Sequence, residues 1–138
     1  MKTTIVILAA GDGTRMKSNI PKSLHRVAGK TMLKHIVDNA SVVEPDQLVV
    51  VHSTHGSVPI KKELSDTEEC FFVEQEEPQG TGHAIKTALP SIKEPNTVIV
   101  LLGDVPLVKA KTIELLQTNT ADNAVTILTT IADAPRGY

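Results

Sequence analysis

Residues Thr4–Met16 read TIVILAAGDGTRM, an apolar run that breaks into a loop with two glycines. The apolar run Thr4–Leu8 predicts a buried strand. The loop contains Arg15, and Lys22 follows a few residues later. Backbone N–H groups in such a turn form a nest for anions, and cationic side chains neutralise phosphate oxygens. This stretch therefore predicts a polyphosphate site at the carboxyl end of the first strand.

The two common phosphate-binding loops do not fit this stretch. A dinucleotide-binding loop needs a third glycine where Met16 stands, and Pro21 falls where its helix would run. The sequence GKT at residues 29–31 mimics the end of a Walker A loop, but Leu24 occupies the position of its first glycine. An ordinary glycine-rich turn with two solvated cations remains an open alternative.

Composition indicates a single soluble globular domain spanning residues 1–138, with 41% hydrophobic and 22% charged residues. The net charge of −2 gives no electrostatic argument for a nucleic acid or membrane partner. Only a short apolar run follows Met1 and Lys2, too short for a signal peptide or a membrane span, so we expect cytoplasmic localisation. Cys70 is the single cysteine, which excludes an internal disulfide.

Strand-like and helix-like segments alternate along the chain. The predicted strands are Thr4–Leu8, Gln47–His52, Cys70–Glu74, Thr97–Leu102 and Ala124–Ile131. The predicted helices cover residues 32–40, 59–64, 81–89 and 111–118. This alternation predicts an α/β fold of right-handed βαβ units, a Rossmann-like doubly wound and mostly parallel sheet. Ligands of such sheets bind outside the carboxyl ends of the strands.

Polar or glycine-bearing segments follow three of the predicted strands, and we expect them to meet at one rim. Asp104 follows the fourth strand, and a carboxylate there suits a hard cation such as Mg²⁺ together with phosphate oxygens. The glycine before it, Gly103, would let a ligand approach the backbone. The alternative for Asp104 is that it caps a helix starting near Val108.

Gln75 and the turn Gly80-Thr81-Gly82 follow the third strand. An amide side chain and backbone groups can pair with a nucleobase or ribose without adding charge. The alternative is a polar loop in which Thr81 caps the next helix. We interpret His83 as an orienting residue, or one satisfied by its neighbours, rather than as a base.

These motifs resemble the signature of sugar-1-phosphate nucleotidyltransferases. The match covers residues 8–16 and then PKSLH at residues 21–25. The segments AGK at 28–30, GTGHA at 80–84 and GDVPL at 103–107 are similar to the uridylyltransferase domains of bifunctional N-acetylglucosamine-1-phosphate uridylyltransferases. The resemblance runs from Thr4 to Tyr138.

The resemblance implies transfer of a uridylyl group from UTP to N-acetylglucosamine-1-phosphate, which gives UDP-N-acetylglucosamine, a cell-envelope precursor, and pyrophosphate. It implies that Arg15 and Lys22 act on the phosphates and that Asp104 binds Mg²⁺. The nucleotide would be held by Leu8, Ala9, Ala10, Gly11, Gly13, Gln75, Gly80, Thr81, Leu102 and Gly103.

The resemblance further implies that the family's domain continues past Tyr138 into a sugar-binding half, so that this chain is the nucleotide-binding half only. Apolar surface at the C-terminal side would then favour self-association. Two alternatives remain open. One is a non-catalytic nucleotide-binding module, and the other is a nucleotidyltransferase for another base or sugar, such as one that transfers thymidylyl to glucose-1-phosphate.

Overall fold

The computed structural model describes residues 2–11, 13–93, 97–120 and 125–133. In chain order its elements are β1 (Thr3–Leu8), β2 (Arg26–Val27), β3 (Lys30–Thr31), α1 (Met32–Ser41), β4 (Gln47–Ser53), α2 (Ser57–Glu63), β5 (Cys70–Gln75), α3 (Thr81–Ala88), β6 (Thr97–Leu102) and α4 (Ala110–Thr120). The first four predicted strands and all four predicted helices are confirmed, with ends shifted by no more than about two residues.

The main sheet has the strand order β5-β4-β1-β6, and all its pairs are parallel. In this register Val6 of β1 lies between Val49 of β4 and Val100 of β6. Every residue of β4 is buried, as are the first five of β1. Continuous apolar runs are typical of central parallel strands because both of their faces are covered.

Helices cover both faces of this sheet, which confirms the doubly wound arrangement. On one face, α1, α2 and α4 bury Ile36, Ile60 and Ile113 against one side of the strands. On the other face, α3 packs Ala84 and Ala88 against the opposite side. None of the helices in the described ranges has the length and apolar character needed to cross a bilayer.

The strand order reverses at β1. The chain runs outward from β1 to β4 and β5, and it then returns to place β6 on the free side of β1. The crossover from β1 to β4 lies on one face of the sheet, through α1, and the crossover from β5 to β6 lies on the other, through α3. This leaves a crevice outside the carboxyl ends of these two strands, the usual place for a ligand in such sheets.

The predicted strand Ala124–Ile131 is wrong for its described residues. Ala124 lies outside the described residues, and residues 125–131 form no strand. Val125 and Ile127 are exposed, and with the outer side of β6 they line a cavity of about 520 Å³. Apolar alternation makes a strand only beside a hydrogen-bonded neighbour, and this segment has none in the described part of the chain. The expected self-association through this surface remains a prediction.

Cys70, at the start of β5, packs against the core as a small hydrophobic residue. Its burial raises the pKa of the thiol to about 11. The thiol is therefore protonated at neutral pH and is a poor nucleophile.

Gly103 makes a close backbone contact between the ends of β1 and β6. Its N–H donates to the carbonyl oxygen of Leu8 at 2.8 Å. A Cβ atom on Gly103 would lie 2.8 Å from that oxygen and 3.2 Å from the Cα of Ala9. The glycine is therefore required by strand packing, a reason beyond the ligand approach expected from the sequence.

We expect Gly103→Ala to lower the free energy of unfolding by about 1–3 kcal/mol, because the added methyl group meets rigid backbone. Gly82→Ala is the matched control, since no atom lies within 4 Å of its added Cβ. Gly82 lies within α3, so alanine there should be neutral or stabilising by up to about 1 kcal/mol. Urea unfolding midpoints measure both effects. Equal midpoints for the two variants would contradict the strand-contact explanation.

Candidate functional site

A cavity of about 290 Å³ opens at the crevice between the carboxyl ends of β1 and β6. Most of the predicted site residues line it. They are Leu8, Ala9, Ala10, Gly11, Lys22, Gln75, Gly80, Thr81, Leu102, Gly103 and Asp104. The sheet topology thus brings together segments that are up to about a hundred residues apart in sequence.

Backbone forms much of the floor of this cavity. The N–H of Ala9 donates to the carbonyl oxygen of Val51 at 2.8 Å, which extends the β1–β4 ladder beyond the end of β1. Ala9 and Ala10 are themselves buried. Small side chains on a rigid floor let a flat or extended ligand lie close to the main chain.

Lys22 and Asp104 form an ion pair at the edge of the cavity. The Lys22 Nζ atom donates to Asp104 Oδ2 at 2.5 Å, across 82 residues of sequence. The Lys22 and Asp104 side chains are 40% and 34% exposed, respectively, so water and an incoming ligand can reach both charges. The pair places a cation and an anion at one point of the cavity wall.

The helix-capping alternative for Asp104 is not supported. Helix α4 begins only at Ala110, and the carbonyl oxygen of Lys109 accepts from the N–H groups of Thr112 and Ile113. In the described part of the chain, the Asp104 carboxylate has its hydrogen bond with Lys22 instead. The carboxylate is therefore directed to the cavity region and not to the helix start.

Gly13 lies against Lys22 and outside the cavity lining. Its backbone is left-handed, with φ of 57°, and a Cβ atom there would lie 2.8 Å from the Cβ of Lys22. The glycine therefore lets the loop after β1 pack against the base of the lysine side chain. A direct contact between Gly13 and nucleotide stays a prediction.

Arg15 is also outside the cavity lining. It lies in a 3-10 turn, Thr14–Met16, and its side chain is exposed. Asp12, the residue that precedes Gly13, lies outside the described residues. The structure thus places Arg15 on the loop beside the cavity, and its role at the phosphates remains a prediction.

Gln75 ends β5 on the opposite wall and is 3% exposed. Its Nε2 atom lies 2.8 Å from His83 Nδ1 and 3.4 Å from the carbonyl oxygen of Gly80. A buried amide with partners on one side is held in a fixed orientation. His83 thus contacts another residue of the site, as expected for an orienting residue.

Thr81 does not cap α3, contrary to the alternative stated above. The N-cap is Gly80, with φ of 94°, and within the described part of the chain no side chain provides a capping hydrogen bond there. The N-terminal end of α3 therefore lies at the side of the cavity lined by Gly80 and Thr81.

Sequence reasoning missed three lining residues, Ser23, Pro78 and Ala84. Ser23 is 3% exposed, and its hydroxyl oxygen is buried with no hydrogen-bond partner among the described residues. Its position directly after Lys22 is the signal that could have identified it. Ala84 lies four residues after Gly80, one helical turn along α3, and this spacing places both on one wall.

The GKT segment at residues 29–31, which does not fit a Walker A loop, has a structural role. Thr31 caps α1, where its Oγ1 accepts from the N–H of Lys34 at 3.1 Å. Lys30 pairs with Asp38 at 2.6 Å on the surface. Neither residue lines the cavity.

The donors at the cavity suit a cation that arrives with a ligand. Within the described ranges, no group of three or more His, Cys, Asp or Glu side chains is arranged to hold a metal ion. Asp104 supplies one carboxylate, and Mg²⁺ commonly takes one or two carboxylates with phosphate oxygens and water as its other ligands. The site therefore fits a metal shared with phosphate rather than a metal held by protein alone.

Comparison with known proteins places the chain in a family. The model of the MobA-like NTP transferase domain matches residues 5–137. The bifunctional protein GlmU of Alcanivorax borkumensis is 44% identical over all 138 residues, and that of Idiomarina loihiensis is 41% identical over the same length. The chain spans 30% of the length of each of these relatives.

Solved structures show the same fold. A 4-diphosphocytidyl-2C-methyl-D-erythritol synthase from Anaerococcus prevotii superposes with a TM-score of 0.74 at 19% identity, over 88% of this chain and 52% of that one. Rv0371c of Mycobacterium tuberculosis, in complex with manganese, gives a TM-score of 0.71 at 24% identity, over 86% of this chain and 59% of that one. Together with the sequence matches, these findings show that the chain belongs to the MobA-like NTP transferase family, as the nucleotidyltransferase motifs predicted.

Proposed function

We propose that this chain is the nucleotide-binding part of a uridylyltransferase that acts on UTP and N-acetylglucosamine-1-phosphate. The observation that supports this most directly is the cavity at the β1/β6 crevice, with the Lys22–Asp104 pair at its edge. The cavity gives a nucleoside an apolar and backbone-rich wall, while the ion pair gives a phosphate and a metal their separate partners.

The proposed reaction is a phosphoryl-group substitution. A phosphate oxygen of N-acetylglucosamine-1-phosphate attacks the α-phosphorus of UTP, and one new P–O bond forms. The bond from the α-phosphorus to the bridging oxygen breaks, and pyrophosphate leaves with that electron pair. Such a transfer depends on positioning and charge neutralisation, so it requires no nucleophilic side chain.

In this proposal, different residues contact the base, the ribose and the phosphates of the nucleotide. The uridine lies against Leu8–Gly11 and Leu102–Gly103, with Gln75, Gly80 and Thr81 on the base side. Lys22 donates to phosphate oxygens once it leaves Asp104. Arg15 reaches the pyrophosphate portion from the loop beside the cavity, and Gly13 supports Lys22.

Mg²⁺ is the metal that we propose for Asp104, and when bound it would neutralise phosphate charge. The Asp104 carboxylate fits this role because it is one-third exposed and borders the cavity. Without a ligand, the Lys22 ammonium pairs with Asp104 at the place proposed for that cation. The Asp104 carboxylate would therefore have a positive partner both with and without the metal.

The relatives with the highest identity among those named above are much longer than this chain. The relatives named bifunctional protein GlmU are more than three times as long as this chain. The sugar phosphate is therefore proposed as substrate from the resemblance and not from residues of this cavity. The proposal also places the chain in the cytoplasm, where nucleoside triphosphates are made. A cytidylyl or thymidylyl enzyme is the competing possibility, because the fold is shared with a diphosphocytidyl enzyme.

We expect Asp104→Asn to abolish the gain in UTP affinity that Mg²⁺ provides. The neutral amide loses the charge that holds the cation, and one charge-assisted interaction corresponds to about 10-fold in affinity or more. Calorimetric titration with UTP, with and without Mg²⁺, measures this gain. Asp66→Asn, which removes an equal charge from an exposed site paired with Lys34, should leave the gain intact. An unchanged gain in Asp104→Asn would refute the metal assignment.

We expect Arg15→Ala to weaken UTP binding by about 10-fold while it leaves uridine binding nearly unchanged, because guanidinium contacts go to phosphate. Both affinities can be measured by the same titration. Arg26→Ala is the control, since Arg26 is exposed and donates to the carbonyl oxygen of Gly29 outside the cavity lining. Equal losses for UTP and uridine would show that Arg15 does not face the triphosphate.

The function itself is tested by nucleotide preference and by pyrophosphate release. We expect the purified chain to bind UTP in preference to CTP and the purine triphosphates. With N-acetylglucosamine-1-phosphate and Mg²⁺ present, we expect slow pyrophosphate release, because the resemblance assigns the sugar-binding groups to a further segment. Preference for CTP would support a cytidylyl enzyme, and absence of any triphosphate binding would refute the proposal.

A further inference from the structure

We propose that His83 is the positioning residue that gives the site its preference for a pyrimidine with an N–H group at ring position 3. It acts through Gln75, whose amide it holds in one of its two orientations. This inference rests on the proposed nucleotide site, and it adds a determinant of base choice that lies on α3.

The orientation of the Gln75 amide follows from its two hydrogen bonds. A backbone carbonyl can only accept, so the end of the amide that faces the Gly80 oxygen must be the NH₂ group. The same nitrogen lies 2.8 Å from Nδ1 of His83. In this arrangement Nδ1 is the acceptor, and the ring proton is on Nε2.

The Gly80 carbonyl determines which end of the amide is the donor, and His83 provides the shorter of the two contacts. The contact with the Gly80 carbonyl is 3.4 Å long, whereas the contact with His83 has the length of a good hydrogen bond. Helix α3 fixes both partners, since the Gly80 oxygen accepts from the Ala84 N–H and the His83 oxygen accepts from the Thr87 hydroxyl. Without the imidazole, one long hydrogen bond would have to prevent rotation of the amide.

The amide oxygen is the group that this arrangement leaves for a ligand. Both hydrogen bonds of the Gln75 side chain within the described residues use its nitrogen, and the side chain lines the cavity. An oxygen at that wall accepts from the N3–H of uracil or thymine. It would face the bare N3 lone pair of cytosine, which leaves two acceptors opposed and a buried polar group unsatisfied.

The test compares UTP and CTP affinities, at saturating Mg²⁺, for the wild type, His83→Asn and His83→Leu. The asparagine oxygen replaces Nδ1 as an acceptor, whereas leucine fills space and accepts nothing. We expect the wild type to prefer UTP by about 10-fold or more. His83→Asn should retain that ratio within about 3-fold, and His83→Leu should reduce it to near one while still binding both triphosphates.

Each outcome separates this inference from the proposed function. Failure of the wild type to bind any triphosphate refutes the proposed function. Triphosphate binding with the wild-type ratio preserved in His83→Leu, or with the ratio lost equally in both variants, overturns the role of His83 alone. If a variant fails to fold, nitrogen-15 NMR of the wild-type imidazole decides the matter. It should show an unprotonated Nδ1 and a protonated Nε2, and a protonated Nδ1 would overturn the inference.

Discussion

The structure depends on the parallel pairing of β1 with a neighbour on each side. β4 pairs along one side of β1 and β6 along the other, in a register that aligns Leu8 with both Val51 and Leu102. Since β1 is buried on both faces, its side chains hold the two helical layers together. The same pairing brings the ends of β1 and β6 side by side. Fold stability and site geometry therefore share one set of hydrogen bonds.

The cavity combines rigid and adjustable parts. Its floor is backbone at the strand ends, where Gly103 leaves no room for a side chain. Its edge has two partly exposed side chains, Lys22 and Asp104, whose charges satisfy each other. A rigid floor suits a nucleoside, whereas movable charges suit phosphates and a cation that bind together. In the proposed function, the backbone floor would therefore contact the nucleoside, and the charged edge would contact the phosphates.

Much of the fold could be predicted from the sequence because its central strands are continuous apolar runs. Thr97–Leu102 was predicted residue for residue, and α1 was evident from the helical spacing of its buried face. The strand predicted at Ala124–Ile131 is wrong for its described residues, because apolar alternation does not reveal whether a neighbouring strand is present. Pairing is a property of the whole sheet, so a local pattern cannot specify it.

The site was predictable to the extent that it follows from strand ends. Gln75 and Asp104 each follow a strand, and the topology of parallel sheets brings such residues to one edge. The direct pairing of Lys22 with Asp104 could not be predicted, because the two residues are 82 positions apart and their contact depends on the path of the loop after β1. The position of Arg15 outside the lining depends on the same loop, as does the packing of Gly13 against Lys22.

The return of the chain to β1 determines the order in which the strands of the sheet can pair during folding. β6 joins β1 across more than 90 residues of sequence, and closing so long a loop is slow compared with local pairing. During synthesis, β1 and β4 can pair well before β6 leaves the ribosome. The floor of the cavity is completed only when residues near 103 have arrived, so ligand-binding competence is gained late in folding. A ligand of the cavity would thus meet its site only on chains whose central sheet is already complete.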